Sequence, residues 1–170
     1  DNRLLKGILD DTAARLGKGE VKDELIAAEL HGVVGRVYWS LGLYGAAERH
    51  LPVALEIRAR VLGEEHRDTL ESINNLTVLY LDLGRNAEAE RLSLKTLEIR
   101  KRVLGEEHRD TLGSMSNLAG LYQDQGRYAE AEHLYVRALE IRRRVLGEEH
   151  PDTLASSNNL AVLYLDQGWN

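Results

Sequence analysis

The sequence has no cysteine and no phenylalanine, and its only prolines are Pro52 and Pro151. Without cysteine there is neither a disulfide nor a thiolate nucleophile. That absence fits a cytoplasmic location. Aromatic residues make up 5% of the chain, while Leu, Ala, Glu and Arg are abundant. Such a mix is poor in what strands prefer and rich in what helices prefer. No apolar run approaches the ~20 residues that span a bilayer, which argues against membrane insertion. The first residues, Asp1-Asn2-Arg3-Leu4-Leu5-Lys6, lack the apolar segment of a signal peptide. Positive charge is also short: Lys+Arg number 22 against 28 Asp+Glu, a net charge of −6. Phosphate recognition draws on clustered cations, so nucleic acid is not the expected partner.

What is present is repetition. Leu-Gly-Glu-Glu-His-x-Asp-Thr-Leu occurs at Leu62–Leu70, Leu104–Leu112 and Leu146–Leu154, and 104 − 62 = 146 − 104 = 42. A fixed period in the 20–50-residue range marks stacked helical or strand units, each burying its apolar face against its neighbours.

In chain order, residues 1–19 read as an N-terminal capping helix and linker. Leu4, Leu5, Ile8, Leu9, Ala13 and Leu16 follow helical spacing. Residues 20–63 form a degenerate first repeat, with helices over Val21–Leu41 and Tyr44–Leu62. Pro52 predicts a kink or a shifted start in the second of these. Residues 64–105 and 106–147 are two regular repeats, and 148–170 hold the first helix of a fourth. Asp68, Asp110 and Asp152 are the expected N-caps, with Glu71 closing a capping box on Asp68. Gly84 and Gly126 end the first helices. Ala87 and Ala89 are small enough for close helix packing. Glu56/Arg60, Glu98/Arg102 and Glu140/Arg144 form i,i+4 pairs on the second helices. The chain does not begin with Met and stops within a repeat, so a larger multidomain parent is expected.

The run Asn117-Leu118-Ala119-x-Leu121-Tyr122-x-x-Gln125-Gly126-Arg127-Tyr128-x-Glu130-Ala131-Glu132, followed by Ala138-Leu139, resembles a tetratricopeptide repeat (TPR). The 42-residue version is similar to the repeats of kinesin light chains and of many bacterial TPR proteins. The resemblance covers about residues 29–170. Repeat 1 departs from it, with Val33, Val34 and Gly35 where Asn, Leu and a small Ala are usual. More weakly, residues 4–62 look like the opening of the C-terminal TPR region of some bacterial serine/threonine kinases, although no kinase motif is present. The implied fold is all-α: an α-solenoid of antiparallel helix pairs in a right-handed superhelix.

In proteins of this resemblance the first helices line a concave groove that holds extended peptides. The inward positions would be Arg36, Trp39 and Ser40 in repeat 1, and Glu71, Asn74, Asn75, Val78, Leu81 and Asp82 in repeat 2. Repeat 3 supplies Gly113, Ser116, Asn117, Gly120, Gln123 and Asp124, and the fourth supplies Asn158, Asn159, Val162, Leu165 and Asp166. Asn75, Asn117 and Asn159 match the recurring groove asparagine of kinesin-light-chain-like repeats. An amide both donates and accepts, so it can grip a peptide backbone. The alternative is that these asparagines bridge adjacent repeats. Asp82, Asp124 and Asp166 leave Arg36 as the one cation on this line, which disfavours a carboxylate clamp and favours a neutral or basic partner.

The Glu-Glu-His-x-Asp clusters could be read as metal or catalytic groups, but ligands one repeat apart do not converge on one ion. Capping aspartates with loop Glu and His residues are the plainer reading. The basic helix ends, Arg100-Lys101-Arg102 and Arg142-Arg143-Arg144, read as solvated faces rather than an anion or membrane patch. Leu154, Leu160, Leu163 and Tyr164 would be exposed on an unpartnered last helix, which predicts a homodimer through that end. The expected function is protein or peptide binding by a scaffold module. It is not an enzyme and needs no cofactor. A self-assembly spacer and the sensor region of a kinase are the alternatives.

Overall fold

The structure is a computed structural model that describes residues 2–168, with side chains described from Lys6 onward. Leu4, Leu5, Trp169 and Asn170 lie outside the described side chains. Eight helices and no strand occur among the described residues. They are α1 (Asn2–Gly17), α2 (Glu24–Ser40), α3 (Tyr44–Leu62), α4 (Arg67–Asp82), α5 (Asn86–Leu104), α6 (Arg109–Asp124), α7 (Tyr128–Leu146) and α8 (Pro151–Asp166). The fold is all-α, of the α-solenoid class built from antiparallel helix pairs. The chain forms two compact units, residues 1–89 and 90–170.

The helix ends follow local chemistry, with one correction to the sequence reading. The caps of α4, α6 and α8 are His66, His108 and His150, not the aspartates two residues later. Each imidazole Nδ1 accepts the N–H of Asp68, Asp110 or Asp152, at 3.2, 3.2 and 3.1 Å. The aspartates sit in the first turn, where a carboxylate complements the helix dipole. Glu71 pairs with Arg36 at 3.8 Å instead of closing a capping box. Pro151 takes the first-turn position of α8, where its missing N–H costs nothing. Gly42, Gly84 and Gly126 close the first helices at φ of 73°, 70° and 72°, a left-handed turn that a side chain would strain.

In the first unit, α2 starts later than expected because Asp23 caps it, accepting the Ile26 N–H at 3.0 Å. Helix α3 runs unbroken through Pro52, so its start is not shifted. Leu9 and Leu16 anchor α1, while Ile8 faces solvent, contrary to its place in the apolar stripe. Tyr38 and Leu51 form the α2–α3 core with Ala28, Ala47 and Ala54. Tyr38 donates to Asp10 Oδ1 at 2.5 Å. Burial, then that bond, push its phenol up to about 12. Ala89 is buried but Ala87 is exposed.

In the second unit the buried residues include Met115, Leu118 and Ala119 of α6, Tyr135, Ala138 and Leu139 of α7, and Leu163 of α8; α7 packs against both α6 and α8. Leu163 is wholly buried, which corrects its expected exposure. Tyr164 is half-buried and donates to Glu132 at 2.8 Å. Leu154 and Leu165 remain open to solvent.

The basic helix ends are not simply solvated faces. Arg58 is 5% exposed and Arg142 is 8% exposed. Arg58 Nη1 donates to Ser72 Oγ at 2.8 Å, Arg100 Nη1 to Ser114 Oγ at 2.6 Å, and Arg142 Nη1 to Ser156 Oγ. Each serine passes a bond on to the Asp68, Asp110 or Asp152 carbonyl, four residues back. A guanidinium near the end of one second helix, buried at Arg58 and Arg142 and half-buried at Arg100, thus fastens the start of the next first helix. At Arg60 and Arg144 the expected i,i+4 partner gives way to another glutamate. Arg60 bonds both oxygens of Glu24, at 3.1 and 2.9 Å, and Arg144 bonds Glu107 at 2.6 Å.

Candidate functional site

The candidate binding surface comprises the outward-facing residues of the first helices, taken one unit at a time. In the first unit, Trp39 Nε1 donates to Asp82 Oδ2 at 2.5 Å. The indole is half-buried and the carboxylate exposed. Arg36, read as the lone groove cation, lies against Glu71. Asn74 and Val78 are exposed, and Asn75 and Leu81 are half-buried. In the second unit, Gln123 Nε2 donates to Asp166 Oδ2 at 2.5 Å. This repeats the Trp39–Asp82 spacing: 82 − 39 = 166 − 123 = 43. Asn117, Asp124, Asn158 and Asn159 are exposed, as are Val162 and Leu165. Ser116 is half-buried; it donates to the Leu112 carbonyl at 3.1 Å and accepts from Arg142 Nη1 at 3.3 Å.

Among the described residues, no hydrogen bond occupies the side-chain amides of Asn74, Asn75, Asn117, Asn158 or Asn159. Asp82 and Asp166 are partly satisfied by their donors. Asp124 lacks a matching donor in sequence, because Leu81 stands where Trp39 and Gln123 stand in their repeats.

The turns after α4 and α6 are fixed by charge. Arg85 lies over the Tyr80 ring, 4.3 Å from its centroid, and bonds Glu88 at 2.8 Å and Glu48. Arg127 lies 4.0 Å over Tyr122 and bonds Glu130 and Glu90, at 2.5 and 2.7 Å. The bonds to Glu130, then Glu90, raise the Arg127 guanidinium further above its ordinary range. Glu106 is lowered by its bond to Arg137. Among the described residues, no three His, Asp or Glu side chains are grouped to hold a metal ion. The loop histidines are occupied as helix caps instead.

Sequence reasoning missed those caps, the buried arginines and their serines. The signal was available, since Arg58, Arg100, Arg142 and Ser72, Ser114, Ser156 all recur at 42 residues.

Comparison with known proteins defines the class. The tetratricopeptide repeat profile matches residues 33–68, 69–110 and 111–152. The chain belongs to the tetratricopeptide repeat family. Two crystal structures of nearly identical TPR-like repeats from a Podosopora anserina protein assigned to the kinesin light chains are similar to it. One, a variant, shares 26% identity at a TM-score of 0.81, over 98% of this chain and 80% of that one. The other shares 27% identity at 0.71, over 96% and 87%. BtubC (BKLC) from P. vanneervenii has a TM-score of 0.76 over 98% of this chain and 69% of its own. At 23% identity, that likeness concerns the fold alone. No curated protein matches the sequence. The family assignment and the kinesin-light-chain-like neighbours place the chain among protein-interaction scaffolds. Among the described residues, no helix is long and apolar enough to cross a membrane.

Proposed function

We propose that the first helices of each unit bind an extended protein segment. The observation that carries this reading is the set of exposed or half-exposed amides with no intramolecular bond: Asn75 in the first unit, Asn117 and Asn159 in the second. A buried asparagine bridging repeats would have its amide satisfied inside the protein. These amides can instead donate to and accept from a peptide backbone. Leu81, Val162 and Leu165 offer apolar contact nearby. Asp82, Asp124 and Asp166 favour a segment that is neutral or basic overall.

The test is selection of random twelve-residue peptides displayed on phage, followed by calorimetric titration. Peptides that bind the first unit should weaken at least tenfold with Asn75→Ala, and those that bind the second with Asn117→Ala or Asn159→Ala. Selected peptides that bind all three variants as they bind the wild type would remove the reading.

A second reading rests on α8, where Leu154, Val162 and Leu165 are 52%, 50% and 64% exposed. Such a face can pair with a second copy. Light scattering should then show mass rising with concentration, and Leu165→Lys should abolish the rise. A constant monomer mass would exclude it.

A further inference from the structure

Arg58 and Arg142 hold the same place in the repeat, 142 − 58 = 84 residues apart. Both are buried, and both send Nη1 to a serine on the following first helix. They differ in charge compensation. Arg58 Nη2 donates to the Glu29 carboxylate, and the two form an ion pair. The residue equivalent to Glu29 two repeats on is Gly113 (29 + 84 = 113). Arg142 has no ion pair among the described residues, and its Nη2 has no acceptor there. Asp152 is the acid whose field reaches it, but the Asp152 carboxylate pairs with Arg109 Nε at 3.2 Å. Arg109 adds positive charge beside Arg142.

A side chain has room to start at Gly113. Apart from nearby backbone, no heavy atom lies within 4 Å of where a Cβ would sit on Gly113. Ser116, one helical turn on, brings its hydroxyl to Arg142 Nη1 at 3.3 Å. A buried guanidinium with a free edge, beside a vacancy on an exposed-side helix face, is matched by a planar carboxylate, which can accept two parallel N–H bonds. A phosphate dianion fits less well, because Asp152 lies close and already pairs with Arg109, the other cation beside Arg142.

We propose that Arg142, Ser116 and the space over Gly113 form a socket for one Asp or Glu side chain of the bound protein segment. The ligand supplies the carboxylate that the first unit supplies from Glu29. This deepens the groove reading and rests on it: an otherwise neutral or basic segment would present one acidic side chain at this register.

Two measurements test the socket without requiring a long peptide. The first compares Gly113→Glu with Gly113→Gln in the full chain, since both remove the glycine and only one adds charge. Gly113→Glu should melt higher at pH 7, and the gap should close below about pH 4 as the new carboxyl protonates. The second follows the Arg142 guanidinium by nitrogen-15 NMR. N-acetylglutamate amide should shift it saturably, N-acetylglutamine amide at least tenfold less, and Gly113→Glu should abolish the response. Equal melting of the two variants, equal response to the two amides, or tighter binding of inorganic phosphate would each overturn the proposal. If the glutamate probe binds while phage selection yields no groove peptide, the groove reading fails, and with it the assignment of the carboxylate to a bound segment; Arg142 as a carboxylate site is then all that stands. The reverse result removes the socket alone.

Discussion

His31 and His50 meet with their Nδ1 atoms 2.9 Å apart, so one ring donates and the other accepts, and the bond is lost once the accepting nitrogen binds a proton. The Tyr38 ring stacks on His50 at 5.8 Å between centroids. Burial, then the neighbouring His31 and Arg49, lower His50 to about 4, and burial lowers His31 as well. The unfolded rings bind protons near pH 6.5 while the folded pair resists them. Stability is therefore full above pH 6.5 and is lost as pH falls from there toward 4. Protonating the unfolded chain alone makes this up to about 3 kcal/mol for His50. Denaturation midpoints taken at pH 7.5, 5.5 and 4.5 should fall accordingly, and His50→Gln should flatten the decline.

Removing Arg58 should be costly, because its guanidinium joins Glu29, Ser72 and the Asp68 carbonyl in a buried place. Arg58→Ala should destabilise the first unit by about 2–4 kcal/mol, through lost charged hydrogen bonds and lost packing of the stem. Glu29→Gln keeps the shape and should cost less. Urea unfolding of the variants checks the order.

Gly35 and Gly7 should respond to alanine with opposite signs. A Cβ on Gly35 would lie 2.6 Å from Leu51 Cδ2 and 3.3 Å from the Leu51 backbone nitrogen. Overpacking of this kind costs ~1–3 kcal/mol, against a helix-propensity gain of at most ~1 kcal/mol. Gly35→Ala should lower the melting temperature. Gly7, with open space around it in α1, should gain about 0.5–1 kcal/mol.

His108 caps α6 through a single accepted N–H bond. His108→Ala should cost about 0.5–1 kcal/mol, and His108→Asn should recover most of it. If Asp110 were the true cap, Asp110→Ala would be the more damaging change. Melting curves of the two alanine variants decide between them.

The helix pairs were legible from the 42-residue period and from Gly84, Gly105 and Gly126 at the ends. The caps were not. Aspartate is the stronger intrinsic N-cap, and only the backbone, extended at His66 and helical at Asp68, shows which residue holds the position. Arginine burial escaped the reading because charge alone suggests solvent. It takes the facing Ser72 or Ser156 to make burial tolerable, and that pairing forms between helices. The Trp39–Asp82 bond was likewise hidden, since both residues were assigned to ligand contact and neither to the other.

The bonds from Trp39 to Asp82, Arg109 to Asp152 and Gln123 to Asp166 each join residues 43 positions apart. The Arg–Ser fastenings join residues 14 apart. These spacings restrict how the chain can change length. Deleting or duplicating a 42-residue block returns donor and acceptor types to corresponding places. Loss of a few residues within one helix would turn every later partner to another face. Length in such a chain is therefore inherited in whole units, and tolerance of insertions is concentrated at the glycine turns.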